Sequence, residues 1–580
     1  MAPKDRRETG NHGLEKGFAS LLRTMALTVG VGLLFGVMMA LVSNGFVAGV
    51  RLLSGWRESQ GWLAAEIGGL ELSLAPLLAL LVAACLVLLV RRLFSITRFH
   101  GPADSIYAAH RTDNELDVRA GLGSTLVAFI SAGGGASVGQ YGPLVHFGAT
   151  IGSALRQVTG GRISTDVFIG CGVAGAIAAG FNAPIAGLIF AHEAILRHFS
   201  LRAMTPIAIS SITAAGVSHW AFGDSHAFSI GAAVTDTGSL IASALIIGPA
   251  FGLVAILFMT SIRFSAGLAA KSGASPARLI FTAAVLTGLV GMVLPEVLGL
   301  GSSGILAILD GQFDLVFLVL LLVGKIVATA LCIGFGLFGG IFSPALFVGA
   351  AAGGLAGLIL GKLGLLAGGP GLVICGMAAV ASAVIGAPVT AILIMLEMTQ
   401  SYSYAVASMM AVASATLVSY LLFGNSFFDR QLRDRGIDIS QGRGHLAMME
   451  LAVAELASDD FVALKASQSP AEAIRKMADA GASEGYIIGP ENRFDGKVTL
   501  YHLLQAKEGE GLAALALEAP VSIKHDASLQ QAIEVASQFV GESIPLINRE
   551  TGLMLGVVTE ADLFQLYLQT QNRVTDLERA

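Results

Sequence analysis

Long apolar runs dominate the first three quarters of the chain. From Leu22 to Val50 the only charged residue is Arg23. A helix needs roughly 20 apolar residues to cross a bilayer, so this longer run predicts a tilted span. A second span, Leu72 to Val90, runs into Arg91, Arg92 and Arg98. Several later runs are too short to cross unaided, about 12 to 18 residues, and each is opened by Gly or Pro: HGPADS (100–105), GQYGP (139–143), GGIFSP (339–344), FNAP (181–184) and IGAP (385–388). Proline is tolerated in the first helical turn, where its missing N–H has no intrahelical acceptor. These breaks predict helix N-termini buried at membrane depth. From about Glu450 the pattern changes to short alternating strands and amphipathic helices with polar turns.

A duplication organises the apolar part. FIGCGVAGAIAAGFNAPIAGLIFAHEA, from Phe168, matches LVICGMAAVASAVIGAPVTAILIMLEM, from Leu372. Cys171 pairs with Cys375, Pro184 with Pro388 and Glu193 with Glu397, and just upstream GQYGPLVHFGATIG mirrors GGIFSPALFVGAAAGG. Two related halves with broken helices suggest a transport site between the repeats. A helix N-terminus presents unpaired N–H groups and the positive end of the helix dipole, which favour an anion.

Composition sharpens this. Apolar residues make up 54% and charged residues 13% of the chain, against about a quarter charged in soluble domains. The 72 glycines suit close helix packing and buried helix breaks. Between 121 and 425 the acidic residues are Asp166, Glu193, Asp224, Asp236, Glu296, Asp310, Asp314 and Glu397, scattered and mostly near expected helix ends. No compact carboxylate cluster suits a metal cation, and no nucleophile–base constellation or metal-ligand spacing points to an enzyme. Cys85, Cys171, Cys332 and Cys375 lie in apolar stretches and read as buried small hydrophobes. No cleavable signal peptide is evident, and the basic flanks Lys4 to Arg23 and Arg430 to Arg435 predict cytoplasmic termini in a bacterial-type inner membrane. The expected layout is a cytoplasmic segment 1–20, a membrane domain 21–437, a linker 438–449, two α/β units at 450–508 and 515–570, and a tail 571–580.

GGIFSP, AGFNAPIAGLIFAHE (179–193), GQYGP and the exit LLFGNSFFDRQLRDRGI (421–437) together resemble the CLC family of chloride channels and proton-coupled chloride exchangers. The resemblance covers roughly Leu21 to Ile437. It implies an all-α polytopic inverted repeat of broken, tilted helices, a homodimer, and one anion pathway per subunit lined by helix N-termini. Carried over residue by residue, it places Gly101, Pro102, Gln140, Tyr141, Gly142, Gly340, Ile341, Phe342 and Phe428 on that pathway. The family's usual side chains are missing from it. Gly101 or Pro102 stands where the family has a serine, with Ser105 displaced. Tyr141 stands in place of the gating glutamate, Ala194 in place of the inner proton-transfer glutamate, and Phe428 in place of the pore tyrosine. A glutamate starts near pKa 4.3 and can be tuned upward, whereas tyrosine starts near 10 and alanine carries no proton. Channel-like conduction of small inorganic anions, chloride first, is the favoured expectation. Coupled anion transport by a non-standard proton route is the alternative, and a divalent-cation channel ranks below both. Tyr141 is expected to donate its O–H to an anion or to block the path.

Other groups have blander readings. Glu193 and Glu397 read as satisfied structural carboxylates. His100, His146 and His192 read as packing histidines, with His192 the one to test as a proton route. Lys325 is expected to pair locally or snorkel, or else to draw anions toward the vestibule. The C-terminal units, ending in GVVTEADLF (556–564), resemble a tandem CBS pair. Such pairs often bind adenine nucleotides, and Thr559 and Asp562 match the contacting positions, whereas Thr499 is followed by His502. The pair is either one nucleotide site or a purely structural, dimerising module. No cofactor is required for transport, and no nucleic-acid partner is implied.

Overall fold

The computed structural model describes residues 8–59, 64–67, 70–111, 113–155, 164–223, 236–364, 370–507, 509–517 and 520–579. The chain divides into a unit of Met1–Ala109 with Asp113–Gly436 and a unit of His110–Thr112 with Ile437–Ala580.

The larger unit is helical: α1 (Glu8–Glu58), α2 (Ala75–Leu93), α3 (Pro102–His110), α4 (Val118–Gly133), α5 (Tyr141–Leu155), α6 (Thr165–Phe181), α7 (Pro184–Phe190) and α8 (Leu201–Phe222), then α9 (Thr237–Lys271), α10 (Pro276–Val293), α11 (Ser302–Leu309), α12 (Leu315–Phe335), α13 (Phe342–Lys362), α14 (Gly371–Ile385), α15 (Pro388–Thr399), α16 (Tyr402–Leu422) and α17 (Phe427–Arg433). A π-helical turn, Ala191–Leu196, continues α7. Among the described residues, seven helices are long and apolar enough to cross a membrane.

The predicted breaks open helices. Pro102, Pro184 and Pro388 are first residues of α3, α7 and α15, and GQYGP and GGIFSP run into α5 and α13. Three details differ from expectation. Helix α1 extends eight residues beyond Val50, to Glu58, because no proline interrupts its polar flank. Helix α13 has 21 residues and is no half-span. A two-stranded antiparallel pair, β1 (Ala64–Ile67) and β2 (Leu70–Ser73), joins α1 to α2 in a body expected to be wholly α. Cys171, Cys332 and Cys375 are buried, but Cys85 lies on an exposed face of α2.

The repeats are tied together by their own carboxylates. Glu193, in the π-helical turn after α7, accepts from the Val389 and Thr390 N–H groups and from Thr390 Oγ1, at 2.9, 2.8 and 2.6 Å. Glu397, near the end of α15, accepts from the Ile185 and Ala186 N–H groups at 2.9 and 2.8 Å. Each carboxylate therefore caps the N-terminus of the other repeat's helix. Reciprocal end-to-start capping requires α7 and α15 to run antiparallel. Close crossings are mirrored as well. A Cβ on Gly148 would overlap the Gly172 backbone, and one on Gly349 would overlap that of Gly376, so α5 on α6 and α13 on α14 pack backbone to backbone.

The smaller unit holds two copies of one topology. In the first, β3 (Ala463–Leu464), α19 (Pro470–Ala480), β4 (Glu484–Ile488), β5 (Phe494–Thr499) and α20 (Leu500–Leu504) follow α18 (Gly442–Glu450). After α21 (Leu512–Leu515), the second has β6 (Ile523–Lys524), α22 (Leu529–Ala536), β7 (Ile544–Ile547), β8 (Met554–Val558) and α23 (Glu560–Arg579). Each sheet pairs its first two strands parallel and its last two antiparallel. Ser469 with Glu472 and Ser528 with Gln531 form capping boxes at the equivalent helices. The stretch 438–449, expected as linker, contains most of α18, because Met448 joins the buried core around Leu529 and Ile544. Of the tail expected at 571–580, residues 571–579 are instead the last part of α23, where Val574 is buried, and Ala580 lies outside the described residues.

A buried ion pair fastens the copies together. Lys497 and Glu484, with side chains 3% and 7% exposed, meet at 2.7 Å. Lys497 also donates to the Ser543 carbonyl, and Glu484 accepts from the Glu542 and Ser543 N–H groups. Removing one partner strands the other charge. Glu484→Ala is therefore expected to destabilise this unit by about 3–5 kcal/mol, read by denaturant unfolding.

Candidate functional site

Three helix N-termini meet inside the larger unit. A Cβ added to Gly142 would lie 3.1 Å from Gly340 Cα and 3.4 Å from Pro102 Cγ, so α5, α13 and α3 converge on one point. Gly139 and Gly340 exchange both backbone hydrogen bonds, at 2.7 and 2.6 Å, which ties the two repeat loops together. A cavity of about 60 Å³ lies at this convergence, lined by Gly101, Pro102, Tyr141, Gly142, Gly340, Ile341, Phe342 and Phe428 among others. A second cavity of about 60 Å³ is lined by Arg51, Gln140, Tyr141, Phe181, Ser302 and Ser343 among others. Tyr141 and no other residue is common to both linings.

Tyr141 is held by an aromatic cluster. Its ring stacks on Phe181 at a centroid distance of 3.8 Å and meets Phe342 edge-on at 5.5 Å, while Phe181 and Phe342 are 5.1 Å apart. Its hydroxyl donates to the Gly180 carbonyl at 3.1 Å. The hydroxyl is thus engaged by a backbone carbonyl, with the ring packed between Phe181 and Phe342. The fit needs Gly180, because a Cβ there would overlap Tyr141 Cε1. Gly180→Ala is expected to displace the ring, raising anion flux in reconstituted liposomes at an overpacking cost of about 1–3 kcal/mol.

The three N-termini are not equivalent. The Gly101 N–H donates to Asp104 Oδ2 at 2.9 Å, so α3 is capped by its own carboxylate. Asp104 is neutralised in turn by Arg98 and Arg435, each at 2.8 Å. The Gly340 N–H is spent on Gly139. Gly101 and Gly340 therefore shape the cavity but have no N–H to offer an anion. First-turn N–H groups of α5 and α13, at Tyr141, Gly142, Ile341 and Phe342, have no backbone acceptor among the described residues.

The remaining predicted residues fall as follows. Phe428 lines the first cavity beside Phe427 and Gln431, and sequence reasoning missed Gln431. Gln431 follows Phe428 by three residues, so helical spacing on α17 was the available signal. Ala194 is buried in the π-helical turn and lines neither cavity. Ser105 Oγ bonds His146 Nδ1 at 2.8 Å, away from both linings. His192 Nδ1 faces the His198 carbonyl at 2.9 Å, and its buried Nε2 has no hydrogen-bond partner among the described residues. Lys325 is fully buried and donates to the Val297 and Gly299 carbonyls at 2.8 and 3.3 Å, so it pairs locally. In the smaller unit the Thr559 hydroxyl and N–H both donate to Asp562 Oδ2, at 2.6 and 3.0 Å, capping α23. Thr499 and His502 form the corresponding pair at 2.7 Å.

A multi-pass membrane body with paired broken helices around a helix-N-terminal cavity defines a transport protein. The profile of the family described as Voltage gated chloride channel matches residues 79–420. The chain belongs to that family, the CLC proteins, which carry anions across membranes and are not enzymes. It is 30% identical over 443 residues to the H(+)/Cl(-) exchange transporter ClcA of Vibrio cholerae, covering 72% of this chain and 91% of that one. It is 28% identical over 395 residues to the voltage-gated ClC-type chloride channel ClcB of Escherichia coli, covering 67% and 89%. In fold it is similar to a slow cyanobacterial Cl−/H+ antiporter (TM-score 0.59, 23% identity, 70% of this chain and 97% of that one). It is also similar to a eukaryotic CLC transporter (TM-score 0.60, 20% identity, 93% and 98%).

Proposed function

We propose that the membrane body conducts small inorganic anions, chloride first, in a channel-like manner without classical proton coupling. The observation that supports this is the lining: Tyr141 belongs to both cavity walls, and among the described residues no Asp or Glu lines either one. Anions would be met by the unpaired N–H groups of α5 and α13, and passage requires the Tyr141 ring to leave Phe181 and the Gly180 carbonyl. Both glutamates of the duplicated motif are engaged as helix caps, which leaves them unsuited to carry protons through the pathway.

The reading extends to a homodimer with one pathway per subunit, in a bacterial-type inner membrane with both termini cytoplasmic. The C-terminal unit acts as a CBS pair. Its Thr559–Asp562 cap either opens to an adenine nucleotide's ribose or serves as structure alone, and transport requires no cofactor.

Coupled exchange is the second reading, favoured by the relatives named as exchangers and by the unpartnered Nε2 of buried His192. Purified protein in liposomes separates the two. An imposed chloride gradient should drive chloride flux with no stoichiometric proton movement. Proton uptake in fixed ratio to chloride would overturn the channel reading, and a cation-selective reversal potential would overturn both.

A further inference from the structure

Away from Tyr141, a groove of about 430 Å³ runs between the end of α1, the first turns of α2 and the end of α4. Arg57 is the one charged residue in its lining among the described residues. Leu78, Val82 and Leu86, one turn apart on α2, line it and stay exposed. Behind them α4 closes on α2, because a Cβ on Gly134 would overlap the Ala83 methyl. The head of the groove differs. Arg57, in the last turn of α1, is only 7% exposed. Its Nη1 lies against Gly135, where a Cβ would overlap it, and has no acceptor among the described residues. Its Nη2 meets Glu58 Oε1 at 3.3 Å, and that carboxylate is 71% exposed. A guanidinium carries five N–H donors, so one long bond to a solvated side chain satisfies it poorly where hydrocarbon begins. Trp56 beside it is exposed, as suits an indole at a membrane interface. From Ala75 to Leu86 α2 rises about 16 Å at 1.5 Å per residue, the depth of one leaflet in a hydrocarbon core of roughly 30 Å. A cation at the interface and an apolar channel one leaflet deep thus share one groove.

We propose that this groove binds one phospholipid, its phosphate on Arg57 and an acyl chain along α2 between α1 and α4. A phosphodiester supplies what Arg57 lacks, a fixed negative charge whose oxygens match the guanidinium fork at a depth where water is scarce. Binding exchanges the Glu58 contact for the phosphate, and Glu58 turns to water. The chain covers Leu78, Val82 and Leu86, which the protein leaves open. Any lipid tail can fill an apolar channel, and tails gain little by leaving other tails. Selectivity therefore falls on the phosphate, and the site holds whichever ion the pathway carries.

The test is native mass spectrometry of the full chain in detergent, titrated with phosphatidylglycerol, with diacylglycerol of the same chains, and with glycerol 3-phosphate. One phosphatidylglycerol per chain should bind at least about tenfold more tightly than diacylglycerol, and glycerol 3-phosphate should not bind. Arg57→Gln should weaken phosphatidylglycerol about 10- to 100-fold, as loss of charge-assisted hydrogen bonds does, and Arg57→Lys should recover part of it. Val82→Trp, which fills the channel from an exposed position, should weaken it about tenfold with Arg57 intact. Equal affinity for the two lipids, or unchanged affinity in Arg57→Gln, would overturn the site and leave only unselective boundary lipid. Glycerol 3-phosphate binding as tightly as the lipid would overturn it in favour of a free phosphate. If Arg57→Gln fails to fold, Val82→Trp decides: wild-type affinity there overturns the groove, and the tenfold loss supports it. No readout involves chloride flux, so failure of this site leaves the conduction reading where it stands.

Discussion

Replacing Tyr141 with alanine is expected to raise chloride flux about 10- to 100-fold in reconstituted liposomes. Moving the Tyr141 ring aside in the native protein means breaking the hydroxyl bond to the Gly180 carbonyl, worth about 0.5–1.5 kcal/mol. It also means separating the ring from Phe181, worth about 0.5–1.5 kcal/mol more. Removing a closing energy of about 1–3 kcal/mol corresponds to that rise, at tenfold per 1.4 kcal/mol. Tyr141→Phe removes only the hydroxyl bond and should give an increase of about two- to tenfold. Tyr141→Glu should behave differently again. Its carboxylate would occupy the unpaired N–H groups of α5 and α13 as an anion does, and would release them when protonated. Flux through that variant should rise as pH falls through the carboxylate range, whereas the wild type stays flat. A flat response in Tyr141→Glu, or unchanged flux in Tyr141→Ala, would remove Tyr141 from the pathway.

The second large effect concerns folding. Glu193→Ala leaves the Val389 and Thr390 N–H groups and the Thr390 hydroxyl without their acceptor, in a setting where water is scarce. Each of the three orphaned donors costs about 1–3 kcal/mol, so a loss of about 3–9 kcal/mol is expected, seen as a lower thermal midpoint in detergent. Glu397→Ala should cost less, since it strands two donors. Glutamine at either position retains an acceptor oxygen and should recover about half the loss. If either alanine variant kept full stability but changed proton movement, the structural role of that carboxylate would be wrong.

Much of the membrane architecture was legible because its signals are local. Proline and glycine mark helix starts wherever they fall, so HGPADS, FNAP, IGAP, GQYGP and GGIFSP disclosed five breaks without tertiary information. The matched Glu193 and Glu397 disclosed a shared role, although not that each serves the opposite repeat. What stayed hidden depends on which segments meet. Asp104 follows Gly101 by three residues, an ordinary capping distance, yet its effect on the α3 N-terminus matters only because Gly101 faces the cavity. The consumption of the Gly340 N–H by Gly139 follows from the approach of two loops about 200 positions apart. Arg51 and Ser302 lie outside every duplicated motif, so no spacing rule could bring them to Tyr141. The tyrosine's donation to a backbone carbonyl depends on the bareness of Gly180, which in sequence is one glycine among many.

The exchanged caps also set a schedule for biosynthesis. The amides of Ile185 and Ala186 leave the ribosome 212 and 211 positions ahead of the carboxylate that will accept from them. At about 5–20 residues per second, that interval lasts roughly 10–40 seconds. Throughout it α7 carries exposed donors that hydrocarbon cannot satisfy, so the nascent first half must wait in a wet or proteinaceous compartment. Membrane insertion machinery that holds the early helices until α15 emerges is therefore as much a requirement of this sequence as any contact in the finished protein.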